Sequence, residues 1–88
     1  LAWEIQFDSR AVKELKKIDK TAQKRIINYL KQQVASQENP RTFGKALKGD
    51  NRGLWRYRVS NYRIICNLLD NTMIVLVIKV GHRKSIYD

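Results

Sequence analysis

Eighty-eight residues, 43% hydrophobic and 30% charged, make one domain spanning residues 1–88 with a single modest core. The charge is mixed in sign, which argues against disorder. One cysteine, Cys66, excludes an internal disulfide and a cysteine-based zinc site, and no apolar run of 18 or more residues exists to span a membrane. The balance of 18 Lys+Arg against 8 Asp+Glu gives a formal +10. Residues 1–40 hold 8 basic and 5 acidic side chains, and residues 41–88 hold 10 and 3. A small domain with one strongly basic half meets a polyanion, first of all nucleic acid. Membrane lipid and an acidic protein fit the charge as well. With no signal peptide in view, the chain is expected in the cytoplasm.

Residues 2–7, AWEIQF, alternate Trp3, Ile5 and Phe7 with Glu4 and Gln6, the pattern of a half-buried strand. Ser9 is the expected cap of a helix carrying Ala11, Val12, Leu15 and Ile18 at helical spacing. Thr21 is the expected cap of a second, with Ala22, Ile26, Tyr29, Leu30 and Val34 on one face. A short turn around Asp19–Thr21 makes the two an αα-hairpin. Residues 37–53 are punctuated by Pro40, Gly44, Gly49 and Gly53 and read as irregular. Within them Phe43 and Leu47 are expected to dock on the core. LWRYRVS, YRIICNLL and MIVLVIKV follow as three strands, separated by Ser60-Asn61 and Asp70-Asn71-Thr72.

The order β-α-α-β-β-β, with turns too short for crossovers, predicts an antiparallel meander sheet covered on one face by the αα-hairpin. The class is α+β, a two-layer sandwich. Cys66, flanked by Ile65 and Asn67, is expected as a small buried hydrophobe.

Centring the first β-hairpin on Ser60-Asn61 opposes Val59 to Tyr62, Arg58 to Arg63, Tyr57 to Ile64 and Arg56 to Ile65. Directly opposed residues share a side of the sheet, with Cβ atoms about 5 Å apart. Trp55, Tyr57, Val59, Tyr62, Ile64 and Cys66 then face the helices, and Arg56, Arg58 and Arg63 face away. At an effective dielectric near 20, two charges at that range repel by roughly 3 kcal/mol before screening. A phosphate between them is the economical reason for the arrangement; a solvated face of splayed arginines is the bland one. The tail GHRKSIYD adds His82, Arg83, Lys84 and Tyr87, with Gly81 expected to turn the chain sharply.

FDSRAVKELKKID, ALKG, WRYRVSNYRIIC and VIKVGHRKSIY, in that order over nearly the whole chain, resemble the RelE family of bacterial toxins. The resemblance implies a toxin of a type II toxin–antitoxin system, an endoribonuclease that cuts mRNA in the A site of the 30S ribosomal subunit without metal or other cofactor. It implies a RelB-like antitoxin partner, a complex that binds operator DNA through the antitoxin, and no membrane partner. Carried over by position, the catalytic candidates are Arg56, Arg58, Arg63, Arg83 and Tyr87. The RNA-binding candidates are Lys45, Lys48, Arg52, His82 and Lys84.

The implied chemistry is attack of the 2′-hydroxyl on its own 3′ phosphate, leaving a 2′,3′-cyclic phosphate and a 5′-hydroxyl. The protein must align the chain, remove the 2′ proton, stabilise the phosphorane and protonate the leaving oxygen. The best-known family member has lysines at the positions of Arg56 and Arg58. Arginine, with a pKa above about 12, is a poor base, so Tyr87 among cations is the better candidate. Arg63 and Arg83 are assigned to the phosphate, with Arg83 also placed for the leaving oxygen. His82 stands open between acid–base assistance, stacking on a base, and plain solvation. Two rivals keep the scaffold and drop the chemistry: a ParE-like inhibitor of gyrase, and a non-catalytic RNA- or ribosome-binding protein.

Overall fold

The protein is described as a computed structural model over residues 3–85. Strand β1 (Glu4–Phe7) sends Ile5 and Phe7 inward and Glu4 and Gln6 outward, as its alternation requires. Helix α1 (Ser9–Lys16) follows at once. Its N-cap is Asp8, not Ser9: the Asp8 carboxylate accepts the amide of Ala11 at 2.8 Å. Helix α2 (Lys20–Tyr29) is likewise capped by Asp19, two residues before Thr21, with the Ala22 amide donating at 2.7 Å. In both places a carboxylate one or two positions upstream takes the role, since it satisfies an orphan amide and adds a charge to the positive helix end. The last turn of the second helix widens into a π-helical turn, Leu30–Val34, closed by the Ala35 amide on the Leu30 carbonyl. Ile26, Leu30 and Val34 all stay fully buried across that change.

The sheet has five strands in the order β1-β5-β4-β3-β2. Strands β3 (Leu54–Val59), β4 (Tyr62–Leu69) and β5 (Ile74–His82) form the expected meander. Strand β1 joins the edge of β5 in parallel, which makes the sheet mixed. On the far edge, Lys45 and Ala46 form a two-residue strand, β2, paired with β3. Two residues carry no period, so the sequence alone reads this stretch as irregular. Gly81 does not turn the chain: β5 runs straight through it to His82. Phe43 is 49% exposed rather than docked on the core, whereas Leu47 is buried as expected.

Both helices lie on one side of the sheet. There Tyr57, Val59, Ile64, Cys66, Val75 and Val77 meet Ala11, Leu15, Ile26, Leu30 and Val34 in one apolar core. Burial pushes the Cys66 thiol well above its ordinary range, so it is an inert core group. Tyr57 is fully buried and donates its hydroxyl to the Pro40 carbonyl at 2.8 Å. Burial raises its pKa too, holding the phenol as a neutral donor. Gly44 lies against that ring: a Cβ there would come within 2.9 Å of it, so the close approach requires glycine. The segment is tied down by Arg41, which forks onto Asp70 at 3.1 and 2.7 Å and lies over the Trp55 ring.

Candidate functional site

The side of the sheet away from the helices is built by strand register. Arg58 stands directly opposite Arg63, as the hairpin parity predicts, and Arg63 stands opposite Gly81 on the next strand. One rung along, Lys45, Arg56, Ile65 and Lys79 form a row across four strands. Residues opposed in this way share a face. Two neighbouring rows therefore bring five cations to one surface: Lys45, Arg56 and Lys79 in one, Arg58 and Arg63 in the other.

Lys79 was not legible in the sequence. Plain alternation would put it with Val75 and Val77 in the core. A register shift between Ile65 and Cys66 leaves Ile78 as an extra residue in β5, with Lys79 opposite Ile65 and Val77 opposite Cys66. Val77 and Val80, three residues apart, are then both buried in the core, and Lys79 falls on the cationic side.

The cations differ in access. Arg58 and Arg83 are exposed, whereas Arg56 is only 4% and Arg63 9% exposed. Arg63 folds back along the hairpin, donating Nη1 to the Tyr62 carbonyl at 3.0 Å and to the Ser60 carbonyl at 3.4 Å. That fixes one guanidinium beside the hairpin tip. The ladder runs one bond beyond β5: the Arg83 amide donates to the Asn61 carbonyl at 2.7 Å. The backbone of Arg83 is thus held at the tip of the hairpin that bears Arg58 and Arg63.

Beside the rows, Leu47, Leu54, Ile65 and Ile78 form a second, smaller apolar cluster. They floor a cavity of about 450 Å³ with Asn51 and Lys79 among its polar residues. Lys48 and Arg52 are exposed around the tight turn Gly49–Asn51, which the Leu47 amide and Leu54 carbonyl close at 3.0 Å.

The sequence model of the family described as "ParE toxin of type II toxin-antitoxin system, parDE" matches residues 5–87. The chain is 32% identical over 85 residues to the "mRNA interferase toxin RelE" of Escherichia coli strain K12, covering 96% of this chain and 86% of that one. This chain belongs to the RelE/ParE superfamily of type II toxins. Solved structures agree. A free-state mutant of the Escherichia coli toxin RelE superposes with a TM-score of 0.78 at 28% identity, covering 97% of this chain and 87% of that one. RelE in the intact Escherichia coli RelBE toxin–antitoxin complex gives 0.75 at 29%, covering 92% and 96%. The RelBE2 toxin–antitoxin complex of Mycobacterium tuberculosis gives 0.86 at 20% identity, covering 94% and 93%, a likeness of fold.

Of the toxin's expected catalytic residues, Arg56, Arg58 and Arg63 share one side of the sheet, and the Arg83 backbone is held at the tip of their hairpin. Tyr87 lies outside the described residues. Lys45 joins the cationic row, and Lys48 and Arg52 sit on the adjoining loop. Lys84 is exposed in the turn after β5. His82, an expected RNA-binding residue, falls instead on the side of the sheet opposite Arg58 and Arg63. It stands opposite Tyr62, which shares the helix side with Ile64 and Val80. Its ring packs edge-to-face on Tyr62 at 5.9 Å.

Proposed function

We propose that this toxin is an mRNA interferase that cuts message in the ribosomal A site by attack of the 2′-hydroxyl on its neighbouring phosphate. The observation that carries the reading is the convergence of Arg58, Arg63 and the Arg83 backbone at one hairpin tip. The names of the RelE relatives support it.

In this reading the scissile phosphate sits over the Arg58–Arg63 pair. Arg63 is preorganised by its two carbonyl acceptors, so it meets the phosphorane charge without reorganising. Arg83, exposed at the rim, neutralises the departing 5′ oxygen. Arg56, almost inaccessible, contributes field rather than contact. Lys45 and Lys79 extend the positive track for the chain on one side, with Lys48 and Arg52 beyond. Tyr87 is assigned as base by the family resemblance. Two other phenols are poor rivals: burial raises the pKa of both Tyr29 and Tyr57. With no strong base among the arginines, much of the rate comes from alignment of the RNA, and a ribosome-held message supplies that alignment.

A RelB-like antitoxin is the proposed partner, as in the RelE–RelB complexes of similar fold, with operator binding through the antitoxin and a cytoplasmic location. The family model's ParE description favours a second reading, inhibition of gyrase. Mapping mRNA 5′ ends on programmed ribosomes, with and without the toxin, separates the two. New ends within A-site codons support the interferase. Intact message together with loss of gyrase supercoiling supports the alternative.

A further inference from the structure

We propose that His82 is a positioning residue: its neutral ring holds, through Nδ1, the turn that carries Arg83, and a proton on Nδ1 releases that turn. The proposal rests on the interferase reading for its effect on rate, and on geometry alone for its effect on structure.

Three successive amides follow His82. That of Arg83 donates to the Asn61 carbonyl at 2.7 Å, that of Lys84 to His82 Nδ1 at 3.2 Å, and that of Ser85 to the His82 carbonyl at 2.8 Å. Two of these three bonds end on His82. An amide can donate to Nδ1 only if that nitrogen keeps its lone pair, so the ring proton belongs on Nε2. The Tyr62 ring, at 80° to the imidazole, fixes the ring plane from the next strand. His82 lies on the helix side, so its ring is remote from a phosphate over Arg58 and Arg63. Its leverage on the chemistry runs through the backbone of the turn.

When both ring nitrogens carry protons, the imidazolium is a donor only. The Lys84 amide then faces a donor, its bond is lost, and the turn keeps one fewer restraint. The charged and titratable groups around the ring come from several elements. Arg10 and Glu14 of α1, Lys17 just after it, Asp19 at the start of α2, Tyr62 of β4 and Lys79 of β5 line the same cavity of about 630 Å³. Glu14 is already engaged, accepting the Val80 amide at 2.8 Å and Arg10 Nε at 3.3 Å. Arg83 and Lys84 add their own charges from the turn itself.

The test uses the purified toxin and two substitutions. Asn places its Oδ1 where Nδ1 stands and does not titrate; Gln reaches past that position. NMR of the histidine nitrogens and backbone amides, followed as a function of pH, is expected to show the Nε2–H tautomer at the alkaline end. The Lys84 amide should shift with the same midpoint as the ring. In H82N that amide should keep its alkaline position at every pH, and in H82Q it should lose it at every pH. In the ribosome assay, kcat of the wild type should fall about three- to tenfold on the acid side, the effect of one hydrogen bond, with KM little changed. H82N should stay near wild type and flat, and H82Q low and flat. A proton on Nδ1 at neutral pH, a Lys84 amide indifferent to the ring, or H82N as impaired as H82Q overturns the positioning role. Absence of cleavage by the wild type overturns the interferase reading instead, and the NMR arm decides the positioning role by itself.

Discussion

Alternate residues of β3 serve two different surfaces. Tyr57 and Val59 go to the helices, where they are 0% and 5% exposed; Arg56 and Arg58 go to the other side. The helix side is closed by apolar contact and the buried hydroxyl bond of Tyr57. The cationic side sets Arg58 directly against Arg63. In the proposed reading, that side is the one that meets the RNA phosphate. The contrast teaches where to look for each property: stability on the helix side and, if the proposed reading holds, turnover on the arginine side.

The largest expected effect tests the first half. Ile64→Ala removes a fully buried side chain opposite Tyr57. It should cost about 2–5 kcal/mol, read as a lower urea midpoint or melting temperature. A cost under about 1 kcal/mol would mean this face is not the core. Arg83→Ala tests the second half. The side chain is exposed and the backbone bond to Asn61 survives the change. Cleavage on ribosomes should fall about 10²–10³-fold, while stability stays within about 0.5 kcal/mol. Equal losses of RNA binding and rate would favour a plain binder.

The parity of the hairpin was legible because period two is strict and the turn at Ser60-Asn61 is short. The αα-hairpin was legible from Ala11, Leu15, Ile26 and Leu30 at helical spacing. Other features had no one-dimensional signal. Asp8 and Ser9 are both good caps, as are Asp19 and Thr21, and only geometry chooses between them. Strand β2 is two residues long. His82 follows a glycine that merely continues its strand, so its side depends on register with Tyr62.

Tyr57→Phe sharpens the comparison with a smaller effect. The ring keeps its contact with Gly44, and the Pro40 carbonyl loses its donor. Burial keeps the phenol protonated across the neutral range, so the loss should be independent of pH there. About 1–2 kcal/mol of stability is expected to go, with cleavage unchanged. A loss of cleavage at full stability would place Tyr57 in the chemistry and blur the two faces.

The smallest effect probes the irregularity that divides the faces. Alternation alone sends Lys79 into the core with Val75 and Val77; the extra residue at Ile78 sends it to the row of Arg56. The two placements predict different things for Lys79→Gln. In the core, replacing a buried ammonium would change stability and leave the salt dependence of RNA binding alone. On the cationic row, stability should hold within about 0.5 kcal/mol. Affinity for single-stranded RNA should then weaken, and the slope of log K against log salt should lessen by about 0.7, the loss of one phosphate contact. An unchanged slope would remove Lys79 from the RNA track, leaving the bulge only the structural task of returning Val80 to the core.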